Sequence, residues 1–133
     1  MAEKIQFELV SPAKLLLSEP VDMVVVPGTE GDFGALPRHA PVIATVRPGV
    51  IDVHEAGKIS NRIFVAGGFA EVNEERITVL AEEAIPVADL TAEGAAERLR
   101  AAREALADAR NDAEKAQAEQ RIAVAVAMEA AAR

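Results

Sequence analysis

Residues 24–41 read Val24-Val-Val-Pro-Gly-Thr-Glu-Gly-Asp-Phe-Gly-Ala-Leu-Pro-Arg-His-Ala-Pro41. A β-branched run enters glycines at spacing three, Gly28, Gly31 and Gly34, and Pro37 and Pro41 then bracket a histidine. Glycine permits positive φ and close backbone approach, whereas proline fixes φ and forbids a continuing helix. The stretch therefore reads as an ordered turn system at the end of a strand. It carries two acids (Glu30, Asp32), a cation (Arg38) and His39 on a rigid scaffold, and such loops are where function concentrates. It is not a phosphate-binding loop, because no Lys-Ser/Thr follows the last glycine. Nor is it a dinucleotide fingerprint, because Pro37 blocks the helix that would follow.

On either side of this stretch the pattern remains that of short strands. Lys4–Val10 alternates, with Ile5, Phe7 and Leu9 on one face and Lys4, Gln6 and Glu8 on the other, the period of a half-buried strand. Ser11-Pro12 ends it. Further runs occupy 14–18, 21–26, 42–46, 50–54, 59–66, 69–72 and 76–81. Turn residues separate most of them, at Pro27-Gly28, Pro48-Gly49, Ala56-Gly57, Gly67-Gly68 and Asn73-Glu74-Glu75. Many short strands punctuated by Gly and Pro predict an antiparallel sandwich or barrel. No helix of useful length fits before Pro86.

Composition changes after Pro86. From Ala92 onward 17 of 42 residues are Ala, and no Gly or Pro follows Gly94. Thr91 is the expected N-cap, with Glu93 in the electropositive first turn. Ala95, Leu99, Ala102, Leu106 and Ala109 follow a 4-3-4-3 seam on one helix. Arg110-Asn111-Asp112 breaks the helix, with Asn111 expected in a left-handed turn and Asp112 as the next cap. Ala118, Ile122, Ala125, Glu129 and Ala132 share one face of a second helix, which a tight connection should pack antiparallel to the first. The expected organisation is mostly β plus α: a β-sandwich over 1–85, a linker over 86–91 and a two-helix hairpin over 92–133.

The 133 residues carry a formal charge of −8, with 7 basic and 13 acidic residues before Asp89 and 7 and 9 from Asp89 on. That balance argues against a nucleic-acid partner, which needs a basic face. There is no cysteine, and the two histidines, His39 and His54, are the only ones and have no supporting Cys, so neither a disulfide framework nor a zinc site is expected. His54 alternates with Asp52 as a solvated strand position. His39 is either a turn-fixing hydrogen-bonder or an interface residue. Ser11, Ser18 and Ser60 lie in no nucleophile motif, and Glu74-Glu75 and Glu82-Glu83 read as solvated turn charges. Nothing requires an enzyme, and no cofactor is implied. The chain enters a strand pattern directly after Met1-Ala-Glu-Lys, so no signal peptide or membrane-spanning segment is expected. Two further readings remain open on the residues alone: an adaptor module with a helical tail, and a small-molecule sensor barrel with a helical lid.

The ordered set from Gly31 to Pro41, G-x-x-G-x-x-P-x-H-A-P, continues through Arg47-Pro48-Gly49, Gly67-Gly68, Glu71-Val72 and Ile77-Thr78-Val79-Leu80-Ala81. It resembles the epsilon subunit of bacterial F-type ATP synthases. The resemblance covers the first two thirds residue by residue and the last third in architecture. It implies a ten-stranded β-sandwich followed by a helical hairpin. The function it implies is that of a non-catalytic rotor subunit, which links the gamma subunit to the c-ring on the cytoplasmic face of the inner membrane. Carried over by position, Glu30, Gly31, Asp32, Arg38 and His39 fall on the c-ring contact. Arg38 stands where relatives commonly have Gly. The resemblance also implies that the helices can rise along gamma toward the alpha/beta head and restrain ATP hydrolysis. Some relatives bind ATP through [I/L]-D-x-x-R-A. Here Leu90-Thr91-Ala92-Glu93-Gly94-Ala95 lacks both the acid and the arginine, so weak or no ATP binding is expected.

Overall fold

The computed structural model describes residues 3–133. Ten strands precede the helices: β1 (Ile5–Val10), β2 (Leu15–Val21), β3 (Met23–Gly28), β4 (Gly31–Ala35), β5 (Val42–Val46), β6 (Gly49–Glu55), β7 (Lys58–Val65), β8 (Gly68–Val72), β9 (Arg76–Ala81) and β10 (Ala84–Pro86). They form one continuous sheet in the order β10-β7-β6-β3-β5-β8-β9-β1-β2, with β4 paired to β3 alone. Every pairing is antiparallel except β1 with β9.

The sheet folds over on one aliphatic core. Ile5, Phe7 and Leu9 of β1 meet Val24 and Val26 of β3, Ile51 and Val53 of β6, and Ile77 and Val79 of β9 there. The alternation read from 4–10 and 50–54 thus places those residues correctly. Each such side chain, fully buried, contributes about 1.5–3 kcal/mol. No residue of the helical region belongs to this cluster.

Three local expectations are corrected. The second and third runs divide at Asp22 rather than between Ser18 and Val21, so β2 passes through Pro20. A proline is tolerated there because β2 is the outermost strand and the missing N–H removes no ladder bond from a central position. The glycine stretch is half strand: β4 returns along β3 with Val24 opposite Ala35 and Gly28 opposite Gly31. The tenth strand that the resemblance implies is a short one, β10, which pairs Ala84 to Pro86 with β7 and so takes in Pro86, expected as the first linker residue.

A single 3-10 turn, Val87–Asp89, leads into helix α1 (Ala92–Ala107), and helix α2 follows (Asp112–Ala131). Thr91 caps α1 by accepting from the Gly94 N–H at 3.0 Å. The cap of α2 is Asn111, not Asp112. Its backbone is extended (φ −154) rather than left-handed, and its Oδ1 accepts from the Glu114 N–H at 2.9 Å. Asn and Asp are near-equal caps, so the neighbouring pair in sequence left a one-residue ambiguity that the backbone resolves.

Ala95, Leu99 and Ala102 are buried on α1, as the seam predicts. On α2, Ala118 and Ala125 are buried as expected, but so are Val124 and Met128, which lie on a different stripe. Those two join Phe64 and Ala66 of the sandwich and Ala95 of α1 in a second, smaller apolar cluster, flanked by Val50 and Ile85. Ala95 lies near the start of α1 and Met128 near the end of α2, so the helices run antiparallel.

Candidate functional site

The candidate residues fall at two ends of β4. Glu30 lies in the two-residue turn between β3 and β4, with Gly31 and Asp32 opening β4. Glu30, Gly31 and Asp32 are all exposed. Gly31 has φ +127 with open space about its Cα, so the turn requires its missing side chain for conformation rather than for room. Arg47 holds this tip from beneath. Its guanidinium donates to Asp32 Oδ1 at 2.6 Å and to the Gly28 carbonyl at 2.5 Å. Its backbone N–H donates to the Pro27 carbonyl at 2.9 Å, and the Thr29 N–H donates to the Thr45 carbonyl at 2.9 Å. Asp32 is thereby a fixed, partnered acid. Glu30 has no ionic partner among the described residues.

Arg38 and His39 follow the far end of β4. At the usual strand rise its five residues separate them from the tip by about 15 Å. The glycine stretch therefore does not bring the two acids and the Arg-His pair into one patch. Leu36-Pro37-Arg38-His39 is a turn closed by the His39 N–H on the Leu36 carbonyl at 3.1 Å. Pro37 sits second and Arg38, at φ 67, third, the arrangement of a type II turn, whose third residue is favoured as glycine. The Arg38 N–H donates to the Glu74 carbonyl at 2.8 Å, tying the turn to the β8–β9 connection, and the Arg38 guanidinium pairs with Glu3. His39 donates from Nδ1 to the Ala40 carbonyl at 2.6 Å. It is thus a turn-fixing residue that stays half-exposed.

The left-handed Arg38 gives a direct test. A non-glycine residue there costs on the order of 1 kcal/mol, while its exposed pair with Glu3 contributes little. Arg38→Gly should leave stability unchanged or raise it by up to about 1 kcal/mol, and Arg38→Val should lower it by about 1–2 kcal/mol. Urea denaturation ranking Arg38→Val above Arg38→Gly would contradict the turn assignment.

Two further surfaces escaped the sequence reading. The first is the outer face of β8 and β9, where Phe69 and Leu80 pair across the strands while 56% and 51% exposed. Together with Val10 and Pro12 they line an apolar depression of about 210 Å³. Ile43 on neighbouring β5 is 74% exposed. Uncovered apolar side chains grouped in this way mark a docking surface.

The second is the seat of the hairpin, where Val124 and Met128 of α2 cover Phe64. Arg98 of α1 forks onto Glu83 in the β9–β10 turn at 2.9 and 2.8 Å. The hydrogen bond from Arg98 holds the Glu83 carboxyl below its ordinary value, and Glu83 in turn raises Arg98. Elsewhere on α1, Arg100 bridges Glu97 and Glu104 on the exposed side.

Among the described residues no group of three His, Cys, Asp or Glu side chains could hold a metal ion, and no helix is long and apolar enough to cross a membrane.

Residues 4–87 match the family model described as ATP synthase, Delta/Epsilon chain, beta-sandwich domain. The chain is 72% identical over 131 residues to the ATP synthase epsilon chain of Paramagnetospirillum magneticum, covering 98% of each chain. It is 61% identical to that of Rhodospirillum rubrum with the same coverage. Among solved structures it resembles a chain of the Euglena gracilis mitochondrial ATP synthase, OSCP/F1/c-ring assembly, with a TM-score of 0.81 and 26% identity. That match covers 98% of this chain and 82% of the other. The chain belongs to the ATP synthase delta/epsilon family.

Proposed function

We propose that this chain is the epsilon subunit of a bacterial F-type ATP synthase, a non-catalytic part of the central stalk that joins gamma to the c-ring. The observation that carries this is the similarity to named epsilon chains along the whole length, helices included. The mechanism is mechanical. A sandwich whose strands are tied into one sheet around a dense core deforms little, so torque applied at one face reaches another. The complex works at the cytoplasmic face of the inner membrane, where this chain is peripheral and lends no catalytic group.

Residues 1–85 act as the docking module, 92–133 as the hairpin, and 86–91 as the connection. The uncovered Phe69–Leu80 face suits gamma, because an apolar surface gains most from a permanent partner. The Glu30–Gly31–Asp32 tip suits polar, basic loops of the c-ring. Arg38 and His39, at the other end of β4, form the second part of the same proposed c-ring contact. The helices are the part able to reach the alpha/beta head. A tagged chain incubated with solubilised membranes should recover gamma and c subunits. Recovery of neither would sink this reading.

The tip contact should be partly electrostatic. Asp32→Lys also abolishes the Arg47 bridge, so Glu30→Lys is the cleaner variant. We expect Glu30→Lys to weaken binding to the membrane sector on the order of tenfold at low salt, with the difference shrinking as salt rises. Equal low-salt binding of variant and parent would remove Glu30 from the contact.

ATP should bind weakly or not at all. Where ATP-binding relatives carry the acid, Thr91 is engaged as a helix cap, and where they carry the arginine stands Gly94, the N–H donor of that cap. Titration calorimetry giving a micromolar affinity would overturn this.

A further inference from the structure

Among the described residues, the helical hairpin meets the sandwich through an apolar patch and one ion pair. Among the described residues, the Arg98–Glu83 fork is the sole side-chain hydrogen bond or salt bridge joining residues 92–133 to strands β1–β10 or the turns between them. The remaining pairs lie within the sandwich or within α1. The apolar patch is small, with Phe64 and Ala66 facing Ala95, Val124 and Met128. Apolar contact is non-directional, so it does not by itself fix how the helices sit. A planar guanidinium on a carboxylate does fix orientation, through two parallel bonds.

Glu83 is also held by the sandwich itself. Its backbone carbonyl accepts from the Ala66 N–H at 2.9 Å, which anchors the β9–β10 turn to the end of β7. The carboxylate therefore stands on a rigid element at the rim of the Phe64 patch. The two side chains remain 44% and 40% exposed, so water and salt can reach the fork.

We propose that the Arg98–Glu83 fork is the latch of the docked hairpin, the contact whose rupture releases α1 and α2 from the sandwich. This rests on the reading that the helices can leave the sandwich to reach the alpha/beta head. It adds that release depends on salt.

The chain has no cysteine, so an introduced thiol reports opening without background. Met128→Cys places one inside the hairpin seat, and Val79→Cys places one in the sandwich core. Labelling of the full-length protein by a thiol reagent is followed at pH 7 in low salt. Glu83→Gln or Arg98→Gln should raise the labelling rate at position 128 by roughly two- to tenfold and leave position 79 unchanged. The exchanged pair Glu83→Arg with Arg98→Glu should restore most of the protection, and 0.5 M salt should shrink the difference between variant and parent. Unchanged labelling at 128 in both single variants would overturn the latch while leaving the detachable hairpin intact. Equal rates at 128 and 79 in the parent would show hairpin and sandwich opening as one unit, overturning both.

Discussion

A chain ending at Ala88 should fold cooperatively, bind its stalk partners and keep ATP synthesis coupled, with ATP hydrolysis unchanged or raised. The main core draws on residues of β1 to β10 and on none from the helices, so the deletion leaves it whole. What is lost is the second cluster, with Phe64 and Ala66 stripped of Ala95, Val124 and Met128. Phe64 then becomes an exposed aromatic at the end of β7. The shortened protein should therefore be less soluble and somewhat less stable, yet still unfold in one transition. The helices bury mostly alanine against one another, which yields little apolar area per residue ordered. Their docking is accordingly a modest free-energy difference, of the size a partner can invert. Circular dichroism in urea and coupled synthesis in reconstituted vesicles test this. An unfolded truncation, or one that assembles but leaks protons, would make the hairpin structural.

Gly68→Ala should be among the most damaging single changes in the chain. Gly68 begins β8 at φ +147, and a Cβ there would stand 1.9 Å from the Leu80 carbonyl oxygen and 2.9 Å from its carbon. Both obstacles are backbone, so relief means breaking the Gly68–Ala81 and Phe69–Leu80 pairing at that end of the sheet. The cost should exceed about 3 kcal/mol. Gly57→Ala is the control. Its φ is +78 but nothing lies within 4 Å of the new atom, so only backbone strain of about 1 kcal/mol is expected. Denaturant midpoints should separate the two variants widely. A Gly68→Ala protein within 1 kcal/mol of the parent would contradict the close approach.

The sandwich could be read because β1 and β6 each bury one face, so alternation records the fold directly. The first helix could be read because one seam and one cap, Thr91, define it. β4 was hidden: Gly31 and Gly34 have poor strand propensity, and only pairing along β3 holds them in the sheet. Phe64 sits in a continuous apolar run, Ile63 to Ala66, covered on both faces, where periodicity assigns no direction. α2 carries two stripes, Ala118 and Ala125 toward α1 and Val124 and Met128 toward the sandwich, and a single-seam reading finds the first.

The site behaved similarly. Gly31 and Pro37 were readable as turn residues, and the chemistry of Glu30, Asp32, Arg38 and His39 was visible in the letters. Their division between the two ends of β4 was not, because it follows from a strand that the glycines disguised. The Arg98–Glu83 fork joins residues in different elements, a tertiary fact with no local signature.

The central claim, that this chain couples rotation to proton flow, is tested most directly by ATP-driven proton pumping in inverted membrane vesicles from cells lacking it. Without the chain, ATP should be hydrolysed with little acidification of the vesicle interior. Adding the purified protein should restore pumping in proportion to the amount bound. Acidification that proceeds equally with and without the chain would contradict its role as the link between gamma and the c-ring.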